Sequence, residues 1–303
     1  GNRQEDALRR DFTINALYYS VEDFSIYDYT GGLQDLAQRT LRLIGDPAIR
    51  YREDPVRMLR AARFAAKLDF QLEEKTAAPI AELGPLLLNI PAARLFEEVL
   101  KLFLSGCGLA TFDHLRQLGL FQFLFPRTDE LLNAEVAYAG KLVRVALANT
   151  DERINSDKPV TPAFLYAALL WPVLTRSRQF HLDQGLSATE AFHTACQEVI
   201  GQQIKHTSLP RRFSQPMREI WELQHALCAK KAKKAPVLVE RPRFRAAYDF
   251  VLLREASGED LAGAGDWWTT YQRENPVVQV TGGSSKSSKK SSRSRYQRNR
   301  STK

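Results

Sequence analysis

The sequence predicts a mainly α-helical fold, in which a short α/β region precedes a long helical body and a disordered basic tail. Strand-like patterns are confined to residues 12–44, and segments with helical periodicity follow one another after Asp54, each ended by Pro or Gly. From Pro276 to the end there is no Asp or Glu, and eight Lys and Arg residues lie among serines. A segment of this composition buries too little apolar surface to become ordered. Because the net charge of the chain is +8, we expect the residues before this tail to be balanced.

Composition and cysteine spacing narrow the class of protein. The 303 residues, 44% of them hydrophobic, suit about two domains or one elongated helical array. The three cysteines, Cys107, Cys196 and Cys228, are too widely spaced for a disulfide framework or a zinc site, which fits a reducing compartment. No run of about 18 apolar residues occurs, and the polar start "GNRQEDALRRD" is not typical of a secretory signal. We therefore predict a cytoplasmic protein without a transmembrane segment.

The first elements fall between residues 12 and 47. The apolar stretch "FTINALYYSV" (12–21) indicates a helix, and "FSIYDYTGG" (24–32) alternates like a strand that ends in a turn at Gly31 and Gly32. "TLRLIGDP" (40–47) is typical of a second short strand that also ends in a turn. The α/β region is therefore expected to be small.

A basic amphipathic helix follows in "EDPVRMLRAARFAAKL" (53–68). Asp54 suits the N-cap of this helix and Pro55 its first turn. The apolar residues from Met58 to Leu68 share one side, and Arg57, Arg60, Arg63 and Lys67 share the other. Asp54 and Arg57 should project side by side, as a pair that could hydrogen-bond the edge of a nucleobase. The alternative is a solvated face with a weak ion pair.

The later helices are marked by their ends. "PAARLFEEVLKLFLSG" places Pro91 in a first turn and ends at Gly106, and "SATE" (187–190) is a capping box. Trp171 and Trp221 occur in apolar helical patterns, which favours packing in the core over stacking on RNA bases.

A second polar cluster occurs upstream, in "RRDFTINAL" (9–17). Arg9 and Arg10 beside Asp11, with Asn15 four residues later, could hold phosphate and a divalent cation. The alternative is that Asp11 serves as a helix cap.

Four stretches together resemble the class II nucleotidyltransferase superfamily, that is, the bacterial poly(A) polymerases and the tRNA CCA-adding enzymes. They are "RRDFTINAL" (9–17), "DYTGGLQDL" (28–36), "LRLIGDP" (41–47) and "RYREDPVRMLRAARFAAKL" (50–68). The resemblance implies a fold in which the carboxyl-terminal remnant of an α/β nucleotidyltransferase head precedes an all-helical neck, body and leg. The implied boundaries are the head remnant at 1–49, the neck at 50–110, an RNA-binding body and leg at 111–275, and the tail at 276–303.

The resemblance also implies roles for individual residues. Asp54 and Arg57 would pair with the incoming base. Asp11 would be an active-site carboxylate with a positioning or electrostatic role, rather than a metal ligand. The residues expected to bind the nucleotide are Arg9, Arg10, Asn15, Asp54, Arg57, Arg60 and Arg63.

The Mg²⁺ ligands of this family are an Asp-x-Asp pair behind a glycine loop, upstream of the "RRDFT" motif. This sequence begins directly before that motif, and Asp23 and Asp28, five residues apart, do not reproduce the pair. We therefore expect a truncated chain that contains no metal ligands and catalyses nothing alone. In the intact enzyme, two Mg²⁺ ions would activate an RNA 3′-hydroxyl for attack on ATP and stabilise the leaving pyrophosphate.

Three features favour the poly(A) polymerases over the CCA-adding enzymes. The body segments "TPAFLYAALLWPVL" and "RPRFRAAYDFVLLRE" resemble those of the polymerases, and no adjacent His-Asp pair marks the metal domain of some CCA-adding enzymes. The basic tail suits an enzyme that holds unrelated RNA 3′ ends, because phosphate contacts are independent of sequence. The tail residues expected to bind RNA are Lys286, Lys289, Lys290, Arg293, Arg295, Arg298 and Arg300.

The prediction is therefore template-independent addition of AMP to RNA 3′ ends, of mRNA, regulatory RNA or tRNA, which promotes RNA decay and could involve RNA-decay proteins. CCA addition to tRNA is the first alternative, because the neck motif is common to both branches. A non-catalytic RNA-binding protein is the second, because it would need no Asp-x-Asp pair.

Overall fold

Helices dominate the structure, a computed structural model that describes residues 2–276, and the mainly α prediction is confirmed. The predicted basic tail and its seven RNA-binding residues lie outside the described residues. The α-helices are α1 (Arg3–Arg9), α2 (Gly32–Ala37), α3 (Pro47–Glu53), α4 (Val56–Leu68), α5 (Glu74–Ala77), α6 (Ile80–Leu83), α7 (Ala92–Phe103), α8 (Gly108–Gln117), α9 (Phe121–Leu124), α10 (Pro126–Asn133), α11 (Ala137–Asn155), α12 (Pro162–Asp183), α13 (Ala188–Gln203), α14 (Arg211–Cys228), α15 (Ala235–Val239), α16 (Phe244–Ala256) and α17 (Ala264–Glu274). Short 3-10 helices cover Thr13–Asn15, Gly84–Asn89 and Ala232–Lys234.

The strands form two small two-stranded sheets near the amino-terminal end of the described residues. They are β1 (Leu17–Tyr19), antiparallel to β2 (Ile26–Asp28), and β3 (Thr40–Leu41), parallel to β4 (Gln71–Leu72). An isolated bridge joins Phe12 to Leu43. The two predicted strands are therefore confirmed. Strand β4 was not predicted, because two residues are too few to show an alternating pattern.

The predicted helix over residues 12–21 is wrong. Thr13–Asn15 forms one 3-10 turn and the chain then enters β1. Consecutive tyrosines favour a strand, and the Thr13 hydroxyl is held by the Asp35 carboxylate at 2.7 Å, far along the chain. Gly32 likewise begins α2 rather than completing a turn, and the left-handed residue is its neighbour Gly31, with φ of 82°.

Helix α4 begins one residue later than its sequence indicates. Asp54 is extended, Pro55 occupies the N-cap, and the Asp54 carboxylate accepts a 3.3 Å hydrogen bond from the backbone N–H of Val56. A residue before proline is driven out of the helical region, so Asp54 becomes the junction between α3 and α4. The predicted apolar side is buried from Met58 to Ala65, but Leu68, at the end of the helix, is exposed.

The alanines of α4 allow close packing of its neighbours. Ala61, Ala62 and Ala65 are fully buried, and α4 packs most extensively against α8 and also against α7. The polar side of α4 is consequently turned toward the segment that follows α1. The predicted capping box is also present, since Ser187 and Glu190 hydrogen-bond each other's backbone N–H at the start of α13.

Two hydrophobic cores organise the helices. The larger extends from the head remnant to α16 and includes Trp171 and Trp221, as predicted. The smaller lies among α14 to α17 around Trp268 and Phe244. Helices α14 and α16 contribute side chains to both cores. Among residues 2–276, no helix combines the length and the apolar composition needed to cross a membrane.

Candidate nucleotide-binding cleft

A polar cleft of about 530 Å³ lies between the end of α1 and the α3–α4 junction. Its lining contains four arginines and two aspartates, which favours an anionic ligand. Of the eight residues predicted from the head and neck, the structure brings seven together here. The lining residues are Arg9, Arg10, Asp11, Asn15, Asp54, Arg57 and Arg60.

Asp11 organises one wall of the cleft. One carboxylate oxygen accepts a hydrogen bond from Arg60 Nε at 2.7 Å and forms an ion pair with a terminal nitrogen of the same guanidinium at 2.5 Å. The other oxygen accepts from the backbone N–H of Phe12 at 2.9 Å and the amide of Asn15 at 3.2 Å. With both oxygens engaged, the Asp11 side chain orients Arg60 and Asn15, and it is 10% exposed.

Arg63 lies outside the cleft lining. Its guanidinium approaches the Phe64 ring at 4.7 Å from the centroid, and Arg60 approaches the same ring at 5.6 Å. The Nε of Arg63 is buried without a hydrogen-bond partner in residues 2–276, and burial lowers the pKa of this side chain. Arg63 therefore supports the neck behind Arg60 in this conformation.

The predicted side-by-side pair of Asp54 and Arg57 is not formed, although both residues line the cleft. The Asp54 carboxylate is paired with Arg94 of α7, with contacts of 2.8 and 3.0 Å. Arg57 instead donates to the carbonyl of Arg50 at 2.7 Å and to Glu53 at 3.2 Å. The extended conformation of Asp54 at the helix junction separates its side chain from the first turn of α4.

Arg50 ties the two sides of the cleft together. Its guanidinium donates to the backbone carbonyls of Arg9 at 3.0 Å and Arg10 at 2.7 Å, and to Glu53 at 2.9 Å. Neither Arg50 nor Arg94 was predicted as a site residue. Each acts over about forty positions of sequence, so no local spacing indicates the contact.

The "DYTGG" turn of the head remnant is organised by the side chain of Asp28. The Asp28 carboxylate accepts hydrogen bonds of 2.9–3.1 Å from the backbone N–H groups of residues 30–33. Burial acts to raise the pKa of Asp28, but these hydrogen bonds outweigh it and the pKa is lowered. Gly32 packs so closely on the Thr13 carbonyl that a Cβ would lie 2.4 Å from its oxygen.

The described residues do not fit a Mg²⁺ site. Across residues 2–276, no three His, Cys, Asp or Glu side chains lie close enough to share a metal ion. Asp11 has both oxygens committed to protein donors. The cleft as described is suited to an anionic ligand held by its arginines rather than to coordinating a cation.

Comparison with known families matches three parts of the chain. Residues 2–42 match the poly A polymerase head domain. Residues 69–132 match the probable RNA and SrmB-binding site of polymerase A, and residues 184–302 match the polymerase A arginine-rich C-terminus.

Curated relatives agree with these matches. Poly(A) polymerase I of Salmonella typhi is 44% identical over 284 residues, which cover 92% of this chain and 61% of the relative. The enzyme of the same name from Haemophilus influenzae is 44% identical over 279 residues, 91% of this chain and 62% of the relative. A CCA-adding enzyme of Enterococcus faecalis is 48% identical, but over 36% of this chain and 27% of its own length. The chain thus spans less than two thirds of the poly(A) polymerases that it resembles.

Solved structures show the same fold. The Thermotoga maritima CCA-adding enzyme complexed with tRNA has a TM-score of 0.57 at 20% identity, and covers 90% of this chain and 60% of its own. A CCA-adding enzyme in complex with CTP has a TM-score of 0.61 at 18% identity, with 92% and 62% coverage.

Proposed function

We propose that the chain is part of a poly(A) polymerase of the class II nucleotidyltransferases, and that the whole protein adds AMP from ATP to RNA 3′ ends. The observation that carries the proposal is the cleft, in which Arg57, Arg60 and Asp54 of the neck face Arg10 and Asp11 of the head remnant. Guanidinium groups suit the phosphates of a nucleotide, because each presents several donors in a plane.

Within this proposal the cleft residues bind and orient ATP. Arg9, Arg10 and Arg60 meet the triphosphate, with Arg60 held in position by Asp11. Asp54 and Arg57 offer an acceptor and donors to the base. Mg²⁺ would neutralise the phosphates and activate the RNA hydroxyl, and its ligands belong to parts of the family head that the described residues do not supply.

The test measures which nucleotide is added and how many residues of it are added to the RNA. The whole protein is incubated with 5′-labelled RNA, Mg²⁺ and each nucleoside triphosphate singly, and products are resolved on a sequencing gel. Long extension with ATP alone supports the proposal. Addition that stops after CCA on tRNA would instead support the first alternative, which the similarity to the Enterococcus faecalis enzyme favours. No addition to any RNA would leave the non-catalytic alternative.

Base selection is tested at Arg57. Arg57→Ala should reduce the preference for ATP over the other triphosphates, since it removes donors from the base-facing end of the cleft. Arg52→Ala is the matched control, because Arg52 is an exposed arginine on α3 that does not line the cleft. Equal nucleotide preference in both variants would contradict the assignment. The cytoplasmic location and the association with RNA-decay proteins stay predictions of the sequence.

A further inference from the structure

Phe64 lies where helix α4 meets the head remnant. Its half-buried ring packs edge-to-face on the ring of Phe12, at 5.7 Å between centroids and 74° between the planes. Phe12 is fully buried, and its backbone N–H donates to the Asp11 carboxylate. The side chain of Phe64 therefore rests on the residue that adjoins the organising carboxylate of the cleft.

The same ring contacts two arginines of the neck. The guanidinium carbon of Arg60 lies 5.6 Å from the centroid of the Phe64 ring, and that of Arg63 lies 4.7 Å from it. Arg60 precedes Phe64 by one helical turn, so the two side chains share one side of α4. A guanidinium within about 6 Å of a ring centroid is attracted by the quadrupole of the ring. Phe64 therefore acts on both arginines electrostatically as well as by packing.

The two guanidinium groups need this attraction because they are close to each other. Burial lowers the pKa of Arg63, and the nearby charge of Arg60 lowers it further. The Nε of Arg63 is buried and finds no hydrogen-bond acceptor in residues 2–276. The Phe64 ring offers each cation a favourable contact that offsets their repulsion.

Arg60 is consequently held at two places. Its Nε and one terminal nitrogen face the Asp11 carboxylate, and its guanidinium lies near the Phe64 ring. Because the guanidinium is planar, the other terminal nitrogen is turned away from Asp11, and Arg60 lines the cleft. A long side chain that is already held in one orientation loses less conformational entropy when a ligand binds.

We propose that Phe64 is a positioning residue for ATP, and that its ring holds Arg60 in the orientation that meets the triphosphate. This inference rests on the proposed function, because it takes ATP as the ligand of the cleft. Phe64 does not itself line the cleft, so it acts through Arg60 and not by touching the nucleotide. The base is left to Asp54 and Arg57, so the ring should govern affinity for the triphosphate and not the choice of base.

Fluorination of the Phe64 ring tests this role at nearly constant side-chain volume. Phe64 is replaced by mono-, di- and trifluorinated phenylalanine in the whole protein, and ATP and AMP are bound in competition with a ribose-labelled fluorescent ATP analogue, without RNA. Each fluorine withdraws electron density from the ring face and weakens its attraction for a cation. ATP affinity should fall stepwise, by roughly twofold to fivefold in total, which is the loss of one partly exposed cation–π contact. AMP affinity should change less, because AMP lacks the outer phosphates.

Phe70 is the matched control. It is also half-buried against the larger core, but it forms no cation–π contact within residues 2–276. The same fluorinated series at Phe70 should leave ATP affinity unchanged. Phe64→Leu should lower ATP affinity about as far as the trifluorinated ring, and Phe64→Tyr, which keeps the π face, should restore it. Circular dichroism of every variant verifies that the fold is intact.

Steady-state kinetics give a second measurement. The KM for ATP should rise with fluorination at Phe64 while kcat stays nearly constant, since a contact that helps to hold the bound nucleotide is weakened. The preference for ATP over the other triphosphates should not change. A packing role alone would make the KM independent of the number of fluorines.

ATP affinity that does not vary with fluorination at Phe64 would overturn the proposal. Equal losses for ATP and AMP would also overturn it, because the effect would then not depend on the outer phosphates. The proposed function fails in a different way, when the whole protein adds no AMP to any RNA. Addition of AMP together with an ATP affinity that is independent of the ring would overturn only the role of Phe64.

Discussion

Replacement of Asp11 by Asn should cost more stability than the loss of an ordinary surface charge. The two carboxylate oxygens make four polar contacts, namely hydrogen bonds from Arg60, Phe12 and Asn15 and an ion pair with a terminal nitrogen of Arg60. The amide introduced by the substitution would turn one acceptor into a donor, so two of these contacts are lost at that atom. Rotation of the Asn15 amide can recover one of them by presenting its oxygen.

The magnitude follows from burial. The Asp11 side chain is 10% exposed and Arg60 is 37% exposed, so solvent screens their interaction only in part. A hydrogen bond to a charged group contributes about 1.5–3 kcal/mol. With Arg60 still bonded to the remaining oxygen, we expect the free energy of unfolding to fall by about 2 kcal/mol, near the lower part of that range.

The assay is urea unfolding at neutral pH, with Asp69→Asn as the matched control. Asp69 is also paired with an arginine, Arg39, at 2.7 Å, but the two side chains are 91% and 62% exposed. Asp69 lies at φ of 54°, a conformation that Asn adopts readily. The free energy of unfolding should therefore fall by less than about 0.5 kcal/mol in Asp69→Asn. Equal losses in the two variants would refute the reasoning that Asp11 is a buried organiser of Arg60.

Three further outcomes are expected. Arg94→Ala should reduce the preference of the whole protein for ATP by up to about tenfold, since Asp54 loses the partner that orients it, an effect of about 1.4 kcal/mol in competition assays; identical preference would exclude Arg94 from base selection. Gly32→Ala should destabilise the chain by about 1–3 kcal/mol, because its Cβ meets the Thr13 carbonyl. Thermal melts measure this loss, with Gly201→Ala as the control. Gly201 is a helical site with open space, so its replacement should be neutral or slightly stabilising, and equal melting temperatures of the two variants would contradict the close packing at Gly32. Deletion of 281–303 should flatten the salt dependence of RNA affinity and leave the melting temperature nearly unchanged; an unaltered salt slope would reduce the tail to a solubilising segment.

Much of the helical fold could be predicted from local signals, because helical periodicity and capping each act between residues that are close in sequence. The apolar side of α4 and the Ser187 capping box depend on neighbours within a few positions, and both are present. The segment 12–21 could not be assigned in this way, since the Thr13–Asp35 hydrogen bond and the pairing of β1 with β2 override its apolar composition.

The candidate site was likewise predictable from local motifs only in part. The four motifs were enough to group Arg10, Asp11 and Arg60, which lie together in the cleft. They did not reveal which partner each side chain takes, because Arg94 reaches Asp54 from another helix. Net charge was also uninformative, since the near-zero sum before Pro276 conceals a run of seven cations and one acid between Lys230 and Arg245.

Helices α14 and α16 run through both hydrophobic cores, and this has a consequence for how the molecule comes apart. Trp221 and Leu227 lie on one helix, and Phe250 and Val251 on the other, yet each pair is divided between the two cores. Unfolding of the smaller core would disrupt helices α14 and α16, whose other side chains are part of the larger core. The carboxyl-terminal helices should therefore exchange their amide hydrogens together with the body, and they are a poor candidate for a detachable module.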